Sequence, residues 1–297
     1  MKNDPQPFLE IVRKIKPLHA ALMKVKAGTE ARAAFRHPGQ PPVLIYQMGK
    51  VGSSSVAHSL EQTGSRETAI HVHFLSGDIE KYGRTFEQAG RYPWPYHLYL
   101  GGALRKILRR QPETPVRIIS LVRDPIAWAV SSVFQNPFLA SESVQAADGS
   151  VDPQKAGDYL LRELDKPETF DYVNDWFDRE LKTVFGIDVF AEPFPVETGF
   201  AVYRHQRAEA LVIRMEDLST KGPQAIAAFL GLPHPLEIQK ANVREQTTAA
   251  DKYKEVRARV RLSRELCERI YSGRLVRHFY NRNLIESFIR RWTGDQG

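Results

Sequence analysis

Residues 43–55 read Val43-Leu44-Ile45-Tyr46-Gln47-Met48-Gly49-Lys50-Val51-Gly52-Ser53-Ser54-Ser55. The first four are apolar or aromatic without alternation, the pattern of a short strand covered on both faces. The next nine hold two glycines, a lysine and three serines, and Val56 and Leu60 then begin a helix that Gly64 stops. A strand-to-helix turn of this kind points several backbone N–H groups at one spot and adds the positive end of the helix dipole, so it suits an anion. Lys50 brings a full charge, and Ser53, Ser54 and Ser55 bring hydroxyl donors. The serines alone fit an ordinary turn with a serine cap; Lys50 between Gly49 and Gly52 favours the anion site. The turn is no Walker A loop, in which the lysine is followed directly by Ser or Thr for Mg²⁺, because Val51 follows Lys50 here.

Outward from this turn the chain alternates strands and helices. Ala69–Leu75 and Val116–Val122 read as a second and third strand, and Asp124 and Pro125 then supply an N-cap and an N1 proline for a helix through Phe134. Phe200–Arg204 and Ala210–Met215 read as two more strands, Tyr172–Phe185 as a helix, and Ala249–Tyr271 as a long Arg-rich helix with Val256, Val260, Leu266 and Ile270 on one side. This alternation predicts an α/β fold: a P-loop-like three-layer arrangement with a central, mostly parallel sheet flanked by helices, and extra helices at the C-terminal end. Residues 5–33 read as a separate helix carrying Leu9, Ile11, Val12, Ile15, Leu18, Leu22 and Val25, followed by a Pro/Gly-rich linker at 37–42. The expected division is therefore an N-terminal helical extension with its linker at 1–40 and the α/β domain at 41–297. The extension is expected to pack on the domain, with peripheral contact to an anionic membrane as the alternative.

Composition narrows the partners. A hydrophobic share of 42%, with 15 Phe, 11 Tyr and 4 Trp in 297 residues, supports a real core and excludes a wholly disordered chain. The single cysteine, Cys267, excludes an intrachain disulfide and a cysteine-based zinc site. With no apolar run long enough for a spanning helix and no signal-type N-terminus, the expected location is cytoplasmic, without a transmembrane segment. A net charge of +7 favours an anionic ligand or surface. Nucleic acid is not expected, because no Arg/aromatic alternation of an RNA-binding motif occurs.

Two more segments carry chemistry. Arg123 closes the third strand at its carboxyl end, where open α/β sheets bind ligands, and Ser131 follows two helical turns later. The same arginine also fits a surface ion pair. Asp124 is better explained as a helix cap than as a metal-holding residue. His71-Val72-His73 ends the second strand, and alternation puts both imidazoles on one side, with Ile70, Val72 and Phe74 on the other. A histidine here suits a general base near neutral pH; a hydrogen-bonded structural histidine is the plainer alternative, and a metal pair lacks a third ligand. Tyr92, Trp94, Tyr96 and Tyr99 suit either sugar stacking or core packing, and His58, His97 and His205 stand alone.

Taken together, Gln47–Ser55 resembles the 5′-phosphosulfate loop of sulfotransferases that use PAPS (3′-phosphoadenosine 5′-phosphosulfate), and Arg123–Ser131 resembles their 3′-phosphate motif. The Lys50-Val51-Gly52-Ser53 order looks closer to the carbohydrate branch of that family. Asn174-Asp175-Trp176-Phe177, Glu180-Leu181-Lys182, Phe185–Phe190 and Ile213–Leu218 look similar to bacterial proteins labelled as capsular polysaccharide synthesis or sulfotransferase-like. The resemblance spans about residues 43–290.

It implies that Lys50, Gly52, Ser53, Ser54 and Ser55 hold the 5′-phosphosulfate and that Arg123 and Ser131 hold the 3′-phosphate. It further implies that PAPS is the sulfuryl donor, PAP (3′,5′-diphosphoadenosine) the product, and that no metal takes part. The catalytic set is then Lys50 with His73 as base and His71 as helper, acting on a hydroxyl or amine of a saccharide-like or other hydroxylated acceptor. In such enzymes a late basic segment closes over the nucleotide, a role open to Lys252 or Lys254, which also fit a solvated helix face. The acceptor would lie among Ser76–Gly101, the 139–153 loop and the C-terminal helices. Two other readings remain: a P-loop nucleotide kinase or NTPase, and a non-catalytic anionic-glycan-binding protein on a sulfotransferase scaffold.

Overall fold

In the chain's computed structural model, residues 15–36, 40–63, 69–135, 144, 152–239 and 260–294 are described. Strand β1 (Val43–Tyr46) is buried along its whole length, as its unbroken apolar run requires. It pairs in parallel with β2 (Ala69–Val72) on one side, Ile45 opposite His71, and with β3 (Val116–Val122) on the other, Ile45 opposite Ile119. The sheet continues through β5 (Ala208–Arg214), parallel to β3, to β4 (Phe200–His205), which is antiparallel to β5 and gives the order β2-β1-β3-β5-β4. The fold is thus a mixed α/β one with a five-stranded, mostly parallel central sheet. β3 and β5 bury nearly every residue, whereas β4, at the edge, buries none.

Two expected strand spans differ by more than one residue. The second strand ends at Val72, three residues before Leu75, because the chain turns at 73–76 to reach a buried carboxylate described below. The fifth strand runs Ala208–Arg214, joined to β4 by a two-residue turn in which Gln206 takes φ 47°.

Helix α1 (Lys16–Ala34) packs on α4 (Tyr96–Arg110) and on β2. Between them, α2 (Ser53–Gln62) packs on β1 and β2, and α3 (Ile79–Gln88) on α4. The contact face of α1 departs from expectation. Ala20, Ala27, Ala31 and Ala34 face the domain, while Ile15, Leu18, Leu22 and Val25 point outward. Leu9, Ile11 and Val12 lie outside the described residues. Small side chains let the helix backbone approach closely, so the alanine face is the one that docks.

After β3, helix α5 (Pro125–Gln135) begins directly. Then α6 (Pro153–Asp165) is capped by Asp152, whose side chain accepts from the N–H groups of Gln154 and Lys155 at 2.8 and 3.1 Å. The helix expected over 172–185 is broken: α7 (Asp171–Phe177) passes into a π-helical turn at Asp178–Lys182 before Thr183–Phe185. After β5, α8 (Gly222–Leu230) packs on that strand.

The long helix expected from Ala249 is also corrected. Its first part, with Val256, Lys252 and Lys254, lies outside the described residues; Val260 and Leu262 are non-helical, and α9 starts only at Arg264 and runs to Tyr271. Ser263 caps it by accepting from Leu266 N–H at 3.1 Å, and Leu262 N–H donates to Trp292 O at 2.9 Å. Helices α10 (Arg274–Phe279) and α11 (Arg282–Thr293) complete the chain.

Asp124, buried between β3 and α5, joins these parts. Its Oδ1 accepts from Ile126 N–H at 2.9 Å, the expected cap, and from Tyr271 Oη at 3.0 Å, while Oδ2 accepts from Trp292 Nε1 at 3.0 Å. Its own N–H donates to Glu216 Oε1 at 3.0 Å, and Tyr280 Oη donates to Glu216 Oε2 at 3.0 Å. A hydrogen bond to a carboxylate contributes about 1.5–3 kcal/mol, and a buried donor left without its acceptor costs about 1–3 kcal/mol. Asp124→Ala should therefore lower stability by about 3–5 kcal/mol and Trp292→Phe by about 1–3 kcal/mol, measured by urea unfolding. Equal midpoints for wild type and Asp124→Ala would remove this residue from its central place.

Candidate functional site

The parallel strands β2, β1, β3 and β5 end on one edge of the sheet, so the segments that follow them meet there: His73–Ser76, Gln47–Gly52, Arg123–Asp124 and Met215–Glu216.

The Gln47–Gly52 turn is held in an unusual conformation. Lys50 takes φ 69° and Gly52 φ 87°, both left-handed. At Gly52 a side chain would also meet Met215, whose Cε would lie 3.2 Å from the added carbon, so glycine is required. Lys50 pays a conformational penalty that its neighbours offset. Its carbonyl accepts from Arg123 Nη1 at 2.8 Å, and the Gly49 carbonyl accepts from Trp128 Nε1 at 2.9 Å. Trp128 stacks on Tyr172, with ring centroids 5.8 Å apart. Helix α2 begins at Ser53, with Gly52 at its N-cap, so Ser53, Ser54 and Ser55 form its first turn. Ser53 is buried, Ser54 exposed and Ser55 intermediate. Ser131 is buried on α5, the helix that also carries Trp128.

His71 and His73 lie on the same side of β2, as alternation predicts, and Ile70 and Val72 are buried on the other. Phe74, beyond the strand end, leaves that alternation and packs on Tyr82 and His97, with centroids 4.4 and 5.7 Å away. His71 and His73 meet edge to face at 4.6 Å, and His97 approaches His73 at 5.3 Å. His73 Nδ1 lies 3.0 Å from the Gln47 carbonyl. A carbonyl can only accept, so Nδ1 carries the proton and Nε2 keeps its lone pair.

The electrostatics keep the cluster neutral. Burial, then the charge of neighbouring His73, lowers His71 and His97 to about 3, with Lys50 acting further on His97. His73 is lowered by burial and by Lys50, against the opposing hydrogen bond to Gln47. Burial also lowers the Lys50 ammonium. The side-chain amide of Gln47, fully buried, and Nε2 of His71 have no hydrogen-bond partner among the described residues. Among the described residues no group of three or more His, Cys, Asp or Glu side chains is disposed to hold a metal ion.

Glu180, in the π-helical turn, fixes the segment after β2. It accepts from the N–H groups of Leu75 and Ser76, both at 2.9 Å, from Ser76 Oγ at 2.7 Å, and from Tyr46 Oη in a short contact. Burial raises its carboxyl. One extra residue per turn re-aims a side chain, and such turns occur often at functional sites.

His97 and Glu180 were invisible as site residues. For His97 one signal existed: Gly101, four residues on and so on the same helix face, where an added carbon would come within 2.1 Å of Phe74 O. That glycine presses α4, and His97 with it, against the turn after β2. The aromatic run goes mainly to packing: Trp94 stacks on Tyr99 and donates to Glu87, and Tyr96 donates to Glu30 of α1.

Over residues 148–281, under half of the chain, the sequence matches the model of the NKWYS family, described as "Putative capsular polysaccharide synthesis protein". No curated protein and no solved structure matches the chain. The matched stretch carries Tyr172, Glu180 and Tyr271, but neither the Gln47–Ser55 turn, nor His71, His73 and His97, nor Arg123. Among the described residues no helix is long and apolar enough to cross a membrane.

The histidines set a pH response. In the unfolded chain His71 and His97 bind protons near 6.5, but in the folded chain only near 3. Their contribution to stability is therefore full above 6.5 and is lost as pH falls toward 3, with a slope of up to about 1.4 kcal/mol per pH unit per histidine. Urea midpoints followed from above pH 7 down to about pH 4 should fall through this window, and His97→Gln should reduce the slope by about one proton. A flat profile in wild type would contradict the buried, neutral cluster.

Proposed function

We propose that the protein is a sulfotransferase, moving the sulfuryl group of PAPS to a hydroxyl, or less readily an amine, of a glycan-like acceptor. The observation that carries this reading is the 2.8 Å contact between Arg123 and the Lys50 carbonyl. It joins the two segments that resemble the 5′-phosphosulfate and 3′-phosphate motifs, on the sheet edge where α/β folds bind such ligands. The P-loop-like character of the fold belongs to the same proposal. The glycan class of the acceptor is supported by the description of the matched family, which names polysaccharide synthesis.

Residue by residue the fit is chemical. Lys50, Gly52 and Ser53–Ser55 offer a cation, backbone N–H groups at a helix start and hydroxyls, the donor set for a 5′-phosphosulfate. Arg123 has guanidinium donors beyond the one given to Lys50, and Ser131 a hydroxyl, for the 3′-phosphate. A bound anion would also offset the desolvation of Lys50 with an opposite charge, and could accept from the Nε2 donor of buried Gln47.

PAPS supplies an activated sulfuryl group, whose sulfur bonds to the acceptor oxygen as its bond to the bridging phosphate oxygen breaks. Lys50 and the turn neutralise charge on the departing side. His73 Nε2, unprotonated at neutral pH and oriented by Nδ1–H to Gln47, takes the acceptor proton. His71 and His97 hold the imidazole of His73 in place as neutral neighbours. Glu180 acts one layer out by fixing the chain just after His73.

Calorimetry without added metal should find PAP bound at least about tenfold more tightly than AMP, as expected for charge-assisted contacts to a second phosphate. Arg123→Ala should abolish that preference, and Ser131→Ala, which spares the contact to Lys50, should weaken PAP by about 2–10-fold. With PAPS and a panel of hydroxylated oligosaccharides, His73→Gln should cut PAP release by about 10²–10⁴-fold while PAP binding persists. Equal affinity for PAP and AMP, or ATP binding that needs Mg²⁺, would overturn the reading and favour a nucleotide kinase. PAP binding without turnover on any acceptor would favour a glycan-binding protein on this scaffold.

A further inference from the structure

Helix α1 docks on the domain with its alanines and turns its larger apolar side chains away. Ile15, Leu18, Leu22 and Val25 are 50, 41, 42 and 64% exposed. Their spacing of three, four and three residues puts them in one stripe, about 15 Å long at 1.5 Å per residue. Among the described residues the only other exposed large apolar side chains are Tyr92 and Leu161, both well away in sequence. Among the described residues, the exposed large apolar side chains are therefore concentrated on this helix.

The charge around the stripe has one sign. Lys26, Arg32 and Arg36 are exposed on the outward side, and none is paired with a carboxylate among the described residues. Lys26 also lies over the Tyr96 ring at 4.8 Å, whereas Lys16 and Lys24 fall toward the docked side, Lys24 over the Tyr99 ring at 6.0 Å. Glu30 is the sole acidic residue between 15 and 36; it is partly buried and engaged by Tyr96 Oη. At 100° per residue, Lys26 borders the stripe on one side and Arg32 on the other. An apolar stripe edged by cations is the pattern of a helix lying in the interface plane of a membrane. A second copy of α1 is a poor occupant, because packing two such stripes would set bordering cations against each other with no carboxylate to pair them.

We propose that α1 seats the protein on an anionic phospholipid surface, with Ile15, Leu18, Leu22 and Val25 entering the headgroup boundary and Lys26, Arg32 and Arg36 meeting lipid charge. This inference stands apart from the sulfotransferase reading, since none of these residues belongs to the candidate site.

The test is co-sedimentation of the full chain with phosphatidylcholine vesicles containing or lacking phosphatidylserine. Binding is expected to the phosphatidylserine vesicles only, and to fall at least about tenfold when salt is raised from about 0.1 M to 1 M, which shortens the screening length from about 10 to 3 Å. Leu18→Glu/Leu22→Glu and, independently, Arg32→Glu/Arg36→Glu should each weaken binding at least about tenfold. All four positions are exposed, so thermal unfolding and PAP binding should match wild type. The proposal is overturned if wild type ignores phosphatidylserine, or if both double variants bind as wild type does. It is equally overturned if wild type is a dimer that Leu18→Glu/Leu22→Glu converts to a monomer, which would make a second copy the occupant.

Discussion

The structure hangs on the buried carboxylate of Asp124. A carboxylate inside a protein is tolerated only when its oxygens are fully used, and here they are. One oxygen caps α5 and takes the Tyr271 hydroxyl; the other takes the Trp292 indole. Its N–H is held by Glu216, which in turn holds Tyr280. Through this single side chain the end of β3, the start of α5 and the C-terminal helices fix one another. Arg123, the preceding residue, inherits its position from that arrangement and reaches back to the Lys50 carbonyl.

A second buried carboxylate plays the same part on the other side of the site. Glu180 gathers the two N–H groups that follow β2, the Ser76 hydroxyl and Tyr46. It is aimed there by the π-helical turn that carries it. The three histidines and Lys50 sit between the two anchors. Their mutual influence is repulsive, and burial disfavours charge further, so the imidazoles stay neutral where an exposed histidine would be partly protonated. Holding Lys50 in a left-handed conformation, where a lysine is rarely found, requires this surrounding rigidity.

Much of the scaffold was legible because it follows from local rules. The unbroken apolar run at 43–46 and the largely apolar stretch at 116–122 appear as strands with those boundaries, and Asp124-Pro125 opens a helix as its capping chemistry demands. The Lys50 turn and the His71–His73 pair were legible as candidates, since glycines, charges and alternation are written in consecutive residues. His97 was not, because nothing adjacent in sequence distinguishes it; only the close approach of α4 at Gly101 brings it to His73. The chain after Val72 turns toward Glu180, 104 residues from Ser76, and no local pattern foretells a partner so distant. The apolar set on α1 misled for a related reason. Periodicity identifies a stripe, but which stripe docks depends on how closely two helix backbones can approach.

By itself the sequence determined an α/β chain with a parallel core, an anion-suited turn carrying Lys50 and an imidazole pair on one strand face. These are properties of residue type and spacing over a few positions, which backbone sterics and hydrophobic periodicity translate directly into elements. Tertiary structure alone decided that Arg123 meets the Lys50 turn, that His97 joins the histidines, that Glu180 and Asp124 anchor the two flanks, and that α1 faces outward with its larger apolar side chains. Each of these depends on contacts between segments far apart in sequence. Such contacts are selected by the packing and hydrogen-bond demands of the whole interior, which no short stretch of residues encodes.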